Sequence, residues 1–350
     1  MKQVTSVITQ FRGSHYDFGY YQGELLQESS YLKNRSFMNE SLFKKFTINL
    51  EEITDLYHQF APFLLDEING LKDCLQLPIE VAYMHFAGFF ANRPSGCSIF
   101  MQPDYMIRNY DQAPNTYDGR LCLFQPTDGG YATAGPSMMI TGRTDGMNEH
   151  GLCIGYNFVN SRQHQDGFVC NMIARIVLET CKTIEEAIHL LTEIPHKHSF
   201  NYCLLDVSGQ SVVVEATPRA VTTRSALVCT NHFQQLTAEN RYTMADSIRR
   251  EKKLLQVAHT EPNWQNGYAL LNNLDQAIFA TKYDAWDGTI HTATYLPKER
   301  LATISFGANK KPVAMQFKKW LDGTDLLITK VKGELDAKHG FVYTSSFTED

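Results

Sequence analysis

The stretch Ser95-Gly96-Cys97-Ser98-Ile99-Phe100-Met101-Gln102-Pro103-Asp104-Tyr105-Met106-Ile107-Arg108-Asn109-Tyr110-Asp111 decides the fold. Cys97–Met101 reads as a strand, Gln102-Pro103-Asp104 as a turn, and Tyr105–Asp111 as a returning strand. A fold-back centred near Pro103 sets Cys97 opposite about residue 110, because hairpin positions mirror about the turn. Arg108 and Asp111 then flank the thiol. The arrangement makes chemical sense if Cys97 becomes a chain terminus. A free α-amine titrates at about 7.7–8.0, so it can take the proton of its own thiol at neutral pH. Asp111 can orient that amine, and Arg108 can favour the thiolate. The plain alternative is a small buried cysteine beside a surface Arg–Asp pair.

Working outward, the composition bounds the class. The 350 residues are 43% hydrophobic and 20% charged, which is globular composition with ample material for a core. A net charge of −6 and scattered lysines and arginines give no electrostatic footprint for nucleic acid. The longest apolar run, Val81–Ala91, holds His85 and ends in Asn92-Arg93, too short to cross a membrane. The first thirty residues carry no signal-peptide pattern, so the expected location is cytoplasmic. Eight cysteines without CxxC spacing read as reduced core thiols, neither a disulfide framework nor a zinc site.

The organisation changes at Pro94-Ser95-Gly96. Residues 1–96 read as mostly helical. Ser14 is an N-cap for a helix running to about Ser30. Gly19 and Gly23 share one face of it, which suits close packing against another backbone. Leu50–Leu75 has helical periodicity with Pro62 inside it, and Ile79–Phe90 follows Pro78. Beyond Cys97, short strands alternate with Gly, Asp and Asn turns to about Tyr156. Gln165–Ile194 reads as two helices, the second opened by the capping box Thr183–Glu186. Strands return at Tyr202–Asp206, Ser211–Ala216 and Ala226–Thr230. Arg241–His259 is helical, and Gly288–Tyr295 and Arg300–Phe306 read as late strands. This order suits antiparallel sheets layered with helices rather than βαβ units. Nucleotide-loop and GxSxG fingerprints are missing.

Five segments, taken in order, resemble the N-terminal nucleophile (Ntn) hydrolases. The likeness is to the linear-amide group of acyl-coenzyme A:6-aminopenicillanic acid acyltransferases and choloylglycine (bile salt) hydrolases. The segments are Gly13-x5-Gly19-x3-Gly23, Gly96-Cys97-Ser98, Arg108-Asn109-Tyr110-Asp111, Asp145–Leu152 with Gly155-Tyr156-Asn157-Phe158, and Asp206–Glu215 with Thr230-Asn231. Together they span roughly residues 10–295. The resemblance implies a four-layer αββα sandwich of antiparallel sheets, class α+β, as a single domain over 1–350. It implies self-cleavage at Gly96–Cys97, leaving segment 1–96 and a catalytic chain 97–350. It further implies hydrolysis of a linear, non-peptide amide through a Cys97 thioester. Asn231 matches the family's oxyanion-hole asparagine, and Asn157 the one that assists from the neighbouring strand. The family also places a late arginine near the thiol. Arg241, Arg249 and Arg250 compete for it, and Ser247-Ile248-Arg249 best matches the family's Ser-x-Arg helix. Bile salt hydrolases carry no long segment ahead of the nucleophile, whereas this chain has ninety-six residues before Cys97.

The expected partner is a small acyl amide, with no cofactor, metal, nucleic acid or membrane, and homo-oligomerisation is compatible with the sequence. Phe89, Phe100, Tyr110, Phe158 and Trp286 are candidates for an apolar acyl pocket. An acyltransferase shares every catalytic residue with the hydrolase. A non-catalytic binding protein on the same fold would not need thiol, Arg, Asp and both Asn together. His196-Lys197-His198 lacks the third ligand zinc requires. His232 is the natural imidazole for a papain-like mechanism, but such enzymes place their cysteine at a helix start.

Overall fold

A computed structural model describes residues 1–34, 49–89, 96–161, 164–283 and 287–344. Phe90, Pro94, Ser95 and Trp286 lie outside the described residues. In chain order the first strands are β1 (Lys2–Gly13), β2 (Cys97–Gln102), β3 (Tyr105–Gln112), β4 (Arg120–Pro126), β5 (Thr133–Met138) and β6 (Gly142–Arg143). They are followed by β7 (Asp145–Asn148), β8 (Cys153–Phe158), β9 (Phe200–Leu205), β10 (Ser211–Ala216) and β11 (Val221–Ser225). The last are β12 (Val228–Cys229), β13 (Gly288–Leu296), β14 (Leu301–Phe306), β15 (Val313–Met315) and β16 (Lys330–Leu335). The helices are α1 (His15–Gln27), α2 (Leu50–Phe60), α3 (Phe63–Leu75), α4 (Ile79–Phe86), α5 (Cys170–Thr180) and α6 (Ile184–Glu193), then α7 (Ala245–Ala258), α8 (Trp264–Asn272) and α9 (Phe317–Leu321).

Among the described residues two sheets form. The larger has ten strands in the order β11-β10-β9-β8-β7-β5-β4-β1-β16, with β6 beside β5. The smaller has six, in the order β12-β2-β3-β13-β14-β15. Every pairing is antiparallel except β1 with β4. The sheets face one another where β2 meets β8 and β14 meets β16. Helices α1, α5 and α6 cover the outer face of the large sheet, with α3 packed on α1, and α7 and α8 cover that of the small one. This is the four-layer αββα sandwich, of class α+β.

Strand alternation assigns the faces. In β2, Cys97, Ile99 and Met101 join the core between the sheets, while Phe100 joins a second core under α7 and α8 with Tyr105, Ile107, Leu254 and Leu271. Phe100 therefore faces away from the thiol.

The segment before Cys97 is not all helix, because Lys2–Gly13 forms β1, which lies inside the large sheet between β4 and β16. Ser14 caps α1 by accepting the Asp17 N–H at 3.0 Å, but α1 stops at Gln27. The stretch Leu50–Leu75 is two helices, broken at Ala61-Pro62 where proline removes a backbone donor. Gly19 and Gly70 let α1 and α3 touch backbone to backbone. A Cβ on Gly19 would lie 2.0 Å from the Glu67 carbonyl oxygen, and one on Gly70 2.1 Å from that of Tyr16. Thr183 caps α6 through the Glu186 N–H at 3.3 Å.

Candidate active site

The hairpin has the register expected of it: Cys97 pairs with Tyr110 and Ile99 with Arg108. Arg108 and Tyr110 point between the sheets, on the thiol's side. Asp111, one residue on, points toward α7. Sulfur and main chain of Cys97 are thus served from opposite faces of β3.

On the sulfur side, Arg108 Nη2 donates to Cys97 Sγ at 3.5 Å. The guanidinium is clamped by the carbonyl oxygens of Thr144 and Tyr156 and by Asp145 Oδ1 at 3.0 Å. Its Cζ lies 4.7 Å from the ring centre of Tyr110 and 4.6 Å from that of Tyr156. Gly155 makes room for it, since a Cβ there would sit 3.2 Å from Arg108 Cδ. Asp145 also accepts from Thr144 Oγ1 at 2.7 Å and Tyr295 OH at 2.7 Å, and its Oδ1 lies 3.1 Å from His291 Nε2. Burial alone would raise the Asp145 pKa, but His291 and Arg108 hold the carboxyl well below its ordinary value. Burial pushes the Cys97 thiol up despite the Arg108 charge, so in the continuous chain it is a protonated, inaccessible thiol.

On the main-chain side, Asn231 Oδ1 accepts the Cys97 N–H at 2.9 Å. It also accepts from Arg250 Nη2 at 2.9 Å, while Arg250 Nη1 donates to the Cys97 carbonyl and to Ser98 Oγ, each at 2.6 Å. A Cβ on Gly96 would lie 3.5 Å from Asp111 Oδ2, 3.9 Å from Arg250 Nη2 and 4.0 Å from Asn231 Oδ1. These are ordinary contacts, so close packing does not demand glycine at 96. Thr289 Oγ1 donates to Asp111 Oδ1 at 2.6 Å. Burial lifts the Asp111 carboxyl to about 7, with Arg250 and Thr289 pulling the other way.

A bulge in β13 makes both sides work at once. Thr289 pairs with Asp111 and His291 with Tyr110, so Ile290 is the extra residue. Without it Thr289 and His291 would share a face. With it Thr289 reaches Asp111 on one side of the sheet and His291 reaches Asp145 on the other.

The structure brings together Cys97, Arg108, Asp111 and Asn231. Asn157, on β8, donates through Nδ2 to the Cys229 carbonyl at 3.0 Å, and its buried Oδ1 has no hydrogen-bond partner among the described residues. Arg249 is a correction. Its side chain is 48% exposed and pairs with Asp246 at 2.6 Å. The next residue on α7, turned about 100° around the axis, is the arginine at Cys97. Arg241 is exposed as well. Asp145, His291, Thr289, Ser98 and Arg250 also stand around Cys97, Arg108 and Asp111. Asp145 and Ser98 lie in the family-like motifs without a role assigned to them there, Arg250 competes with Arg249 in sequence, and Thr289 and His291 carry no sequence signal.

Among the described residues no group of three or more His, Cys, Asp or Glu side chains could hold a metal, and no helix is long and apolar enough to cross a membrane. His196 is buried, with Nε2 2.8 Å from the Leu191 carbonyl. All eight cysteines are buried thiols outside any disulfide. A cleft of about 590 Å³ lies at the Pro103 turn, the far end of β2 from Cys97.

The profile of one family, acyl-coenzyme A:6-aminopenicillanic acid acyl-transferase, matches residues 100–311, more than half of the chain. The chain belongs to this acyl-transferase family. Cys97 lies three residues ahead of the matched span. Solved structures similar to this chain include penicillin V acylase from Agrobacterium tumefaciens, at 17% identity and TM-score 0.45, covering 63% of this chain and 84% of that one. A mutant conjugated bile acid hydrolase from Clostridium perfringens aligns at 15% identity and TM-score 0.44, covering 73% and 99%. The Caenorhabditis elegans N-acylethanolamine-hydrolyzing acid amidase ortholog aligns at 11% identity and TM-score 0.42, covering 58% and 92%. No curated protein sequence matches the chain.

Proposed function

We propose that the protein cleaves itself at Gly96–Cys97 and then hydrolyses a linear, non-peptide amide with an apolar acyl group through a Cys97 thioester. The observation that carries this reading is the division of labour around Cys97. A fixed guanidinium meets its sulfur at 3.5 Å, and an asparagine oxygen holds its N–H at 2.9 Å.

In processing, the Cys97 sulfur attacks the Gly96 carbonyl carbon, the C–N bond breaks, and the amide nitrogen takes up a proton. Water then hydrolyses the Gly96 thioester, leaving a carboxylate on Gly96 and a free α-amine on Cys97. Asp111, lifted to about 7 beside Gly96, is the proposed proton relay: as a carboxylate it takes up the proton released by the thiol, and as an acid it returns that proton to the departing Cys97 nitrogen, which it faces. In turnover the thiolate attacks the substrate carbonyl. The α-ammonium, held by Asp111, protonates the leaving amine, and the amine form later takes a proton from the attacking water. Asn231 and Asn157 are the proposed oxyanion donors, since each amide has two N–H groups and can serve two acceptors. Arg250 is the proposed late arginine, holding the Cys97 carbonyl and the Asn231 amide.

The acyl-transferase family to which the chain belongs supports a second reading on the same residues, in which an amine rather than water accepts the acyl group. The experiment is acid quench of the processed protein with a panel of acyl amides, with and without an added amine. The expected result is an acyl adduct on the peptide beginning at Cys97. Partition between acid and new amide separates hydrolase from transferase. Neither turnover nor adduct from fully processed protein would sink the enzyme reading in favour of a binding protein.

A further inference from the structure

The segment Thr230-Asn231-His232 is gripped by one face of α7. Ser247, Arg250 and Glu251 stand three and four residues apart on that helix, so they project together. Arg250 holds the Asn231 side chain. Ser247 holds its backbone: Ser247 Oγ accepts the Asn231 N–H at 2.8 Å and lies 2.8 Å from His232 Nδ1 and 3.0 Å from Thr230 Oγ1. His232 Nε2 in turn lies 3.2 Å from Glu251 Oε2, whose other oxygen accepts from Gln234 Nε2 at 2.5 Å.

We propose that Ser247, backed by His232 and Glu251, is the positioning residue that fixes Asn231 against Cys97. The proposal rests on the reading of Asn231 as an oxyanion donor. A hydroxyl offers one hydrogen and two lone pairs, and Ser247 Oγ has three polar neighbours. Either the hydroxyl donates to Thr230 while His232 donates to it, or the hydroxyl donates to His232 while Thr230 donates to it. In both arrangements the Asn231 N–H keeps its acceptor. Ser247 is not a second nucleophile, despite the Ser–His–Glu sequence of contacts. It is fully buried and its oxygen is saturated. What the chain of contacts does is lock the serine rotamer from behind. Asn231 is thereby held at two points, backbone by Ser247 and side chain by Arg250, from neighbouring positions on one rigid helix. An oxyanion donor loses most of its effect when misplaced by a fraction of an ångström, so such a clamp bears directly on rate.

The test uses the full chain and two readouts. Ser247→Ala is expected to lower kcat by about tenfold or more with KM changed less than about threefold, the pattern of an interaction that matters in the transition state. Amide hydrogen exchange at Asn231 should accelerate by about tenfold or more in the same variant, with β9 and β10 unchanged, because a buried acceptor is lost. Exchange needs no substrate. Loss of protection in a protein whose wild type turns nothing over would leave the clamp standing and remove the enzyme reading. Wild-type kcat in Ser247→Ala, or Asn231 still protected, overturns the clamp. If Ser247→Ala does not fold, His232 decides. His232→Ala should impair both readouts, and His232→Asn, whose amide overlays the Nδ1 side of the ring, should restore them. Equal behaviour of the two His232 variants also overturns the proposal.

Discussion

Arg108 and Asp111 stand on opposite faces of β3, so the cation meets the sulfur of Cys97 while the carboxylate faces the peptide that precedes it. A sequence pair three residues apart is thereby split into two tasks. One is the thiol's charge, and the other is the fate of the Gly96–Cys97 nitrogen.

The Asp111 carboxyl gives processing a pH signature. Denaturing mass spectrometry should show chains 1–96 and 97–350 for the wild type and one chain for Cys97→Ala. The scission rate should rise with pH through about 7, where Asp111 ionises. Asp111→Asn should abolish that inflection and cost about a hundredfold or more in rate. A pH-independent scission rate, or wild-type kinetics in Asp111→Asn, would reduce Asp111 to a structural carboxyl.

The same group sets a stability trend. Folding raises the Asp111 pKa to about 7, so the folded chain holds this proton more tightly than the unfolded one. Its contribution is fully present below about pH 4, the ordinary carboxyl value, and is lost as pH rises toward 7. In the uncleavable Cys97→Ala background, melting should therefore show a component that falls between pH 4 and 7. Adding Asp111→Asn should remove that component. A parallel pair of curves would contradict the assignment.

Removing Arg108 takes the fixed cation from Asp145, which keeps Thr144, Tyr295 and His291. Arg108→Met should destabilise the chain by at most about 3–5 kcal/mol, the range for breaking a buried ion pair. It should also slow alkylation of the mature thiol, since Arg108 is the cation that favours thiolate. Peptide mapping of iodoacetamide adducts in the processed wild type should find Cys97 labelled before the other seven cysteines. Labelling elsewhere with activity intact would refute the nucleophile.

Neighbouring arginines on α7 should behave differently. Arg249→Gln loses only an exposed pair with Asp246 and should change stability by at most about 0.5 kcal/mol, with scission unaffected. Arg250→Gln should block or greatly slow scission, because it takes the guanidinium away from the Cys97 carbonyl and from Asn231 Oδ1. Equal effects of the two would argue against the geometry.

Glycines at 19 and 96 make a matched contrast. Gly19→Ala places a methyl carbon 2.0 Å from the Glu67 carbonyl oxygen and should cost about 1–3 kcal/mol through overpacking. Gly96→Ala meets its neighbours at 3.5 Å or more and should fold normally. Thermal melts of the two full-length variants would decide, and equal melting points would rule the steric account out.

The hairpin was legible because Pro103 fixes a turn centre and pairing then counts outward from it. The glycine face of α1 and the cap at Thr183 are equally local. Strand β1 was hidden because Ser6 stands between Val4 and Ile8 on one face and Thr9 is buried on the other, so the apolar alternation is blurred. The choice of Arg250 over Arg249 depends on how α7 is rotated against β2, and no spacing within α7 states that. Asp145 and His291 meet across 146 residues and a bulge at Ile290, so their pairing exists only once both sheets are assembled.

The position of β1 has a consequence for the life of the cut protein. If the bond after Gly96 is broken, a strand flanked by β4 and β16 belongs to a different polypeptide from both of its neighbours. Folding before the cut is a unimolecular search, whereas renaturation afterwards requires two molecules to find each other. The midpoint of thermal inactivation then depends on protein concentration. A diluted, heated sample of the mature form should not recover, while the uncut Cys97→Ala chain should. Self-cleavage would in that case turn an equilibrium fold into one maintained by its unfolding rate.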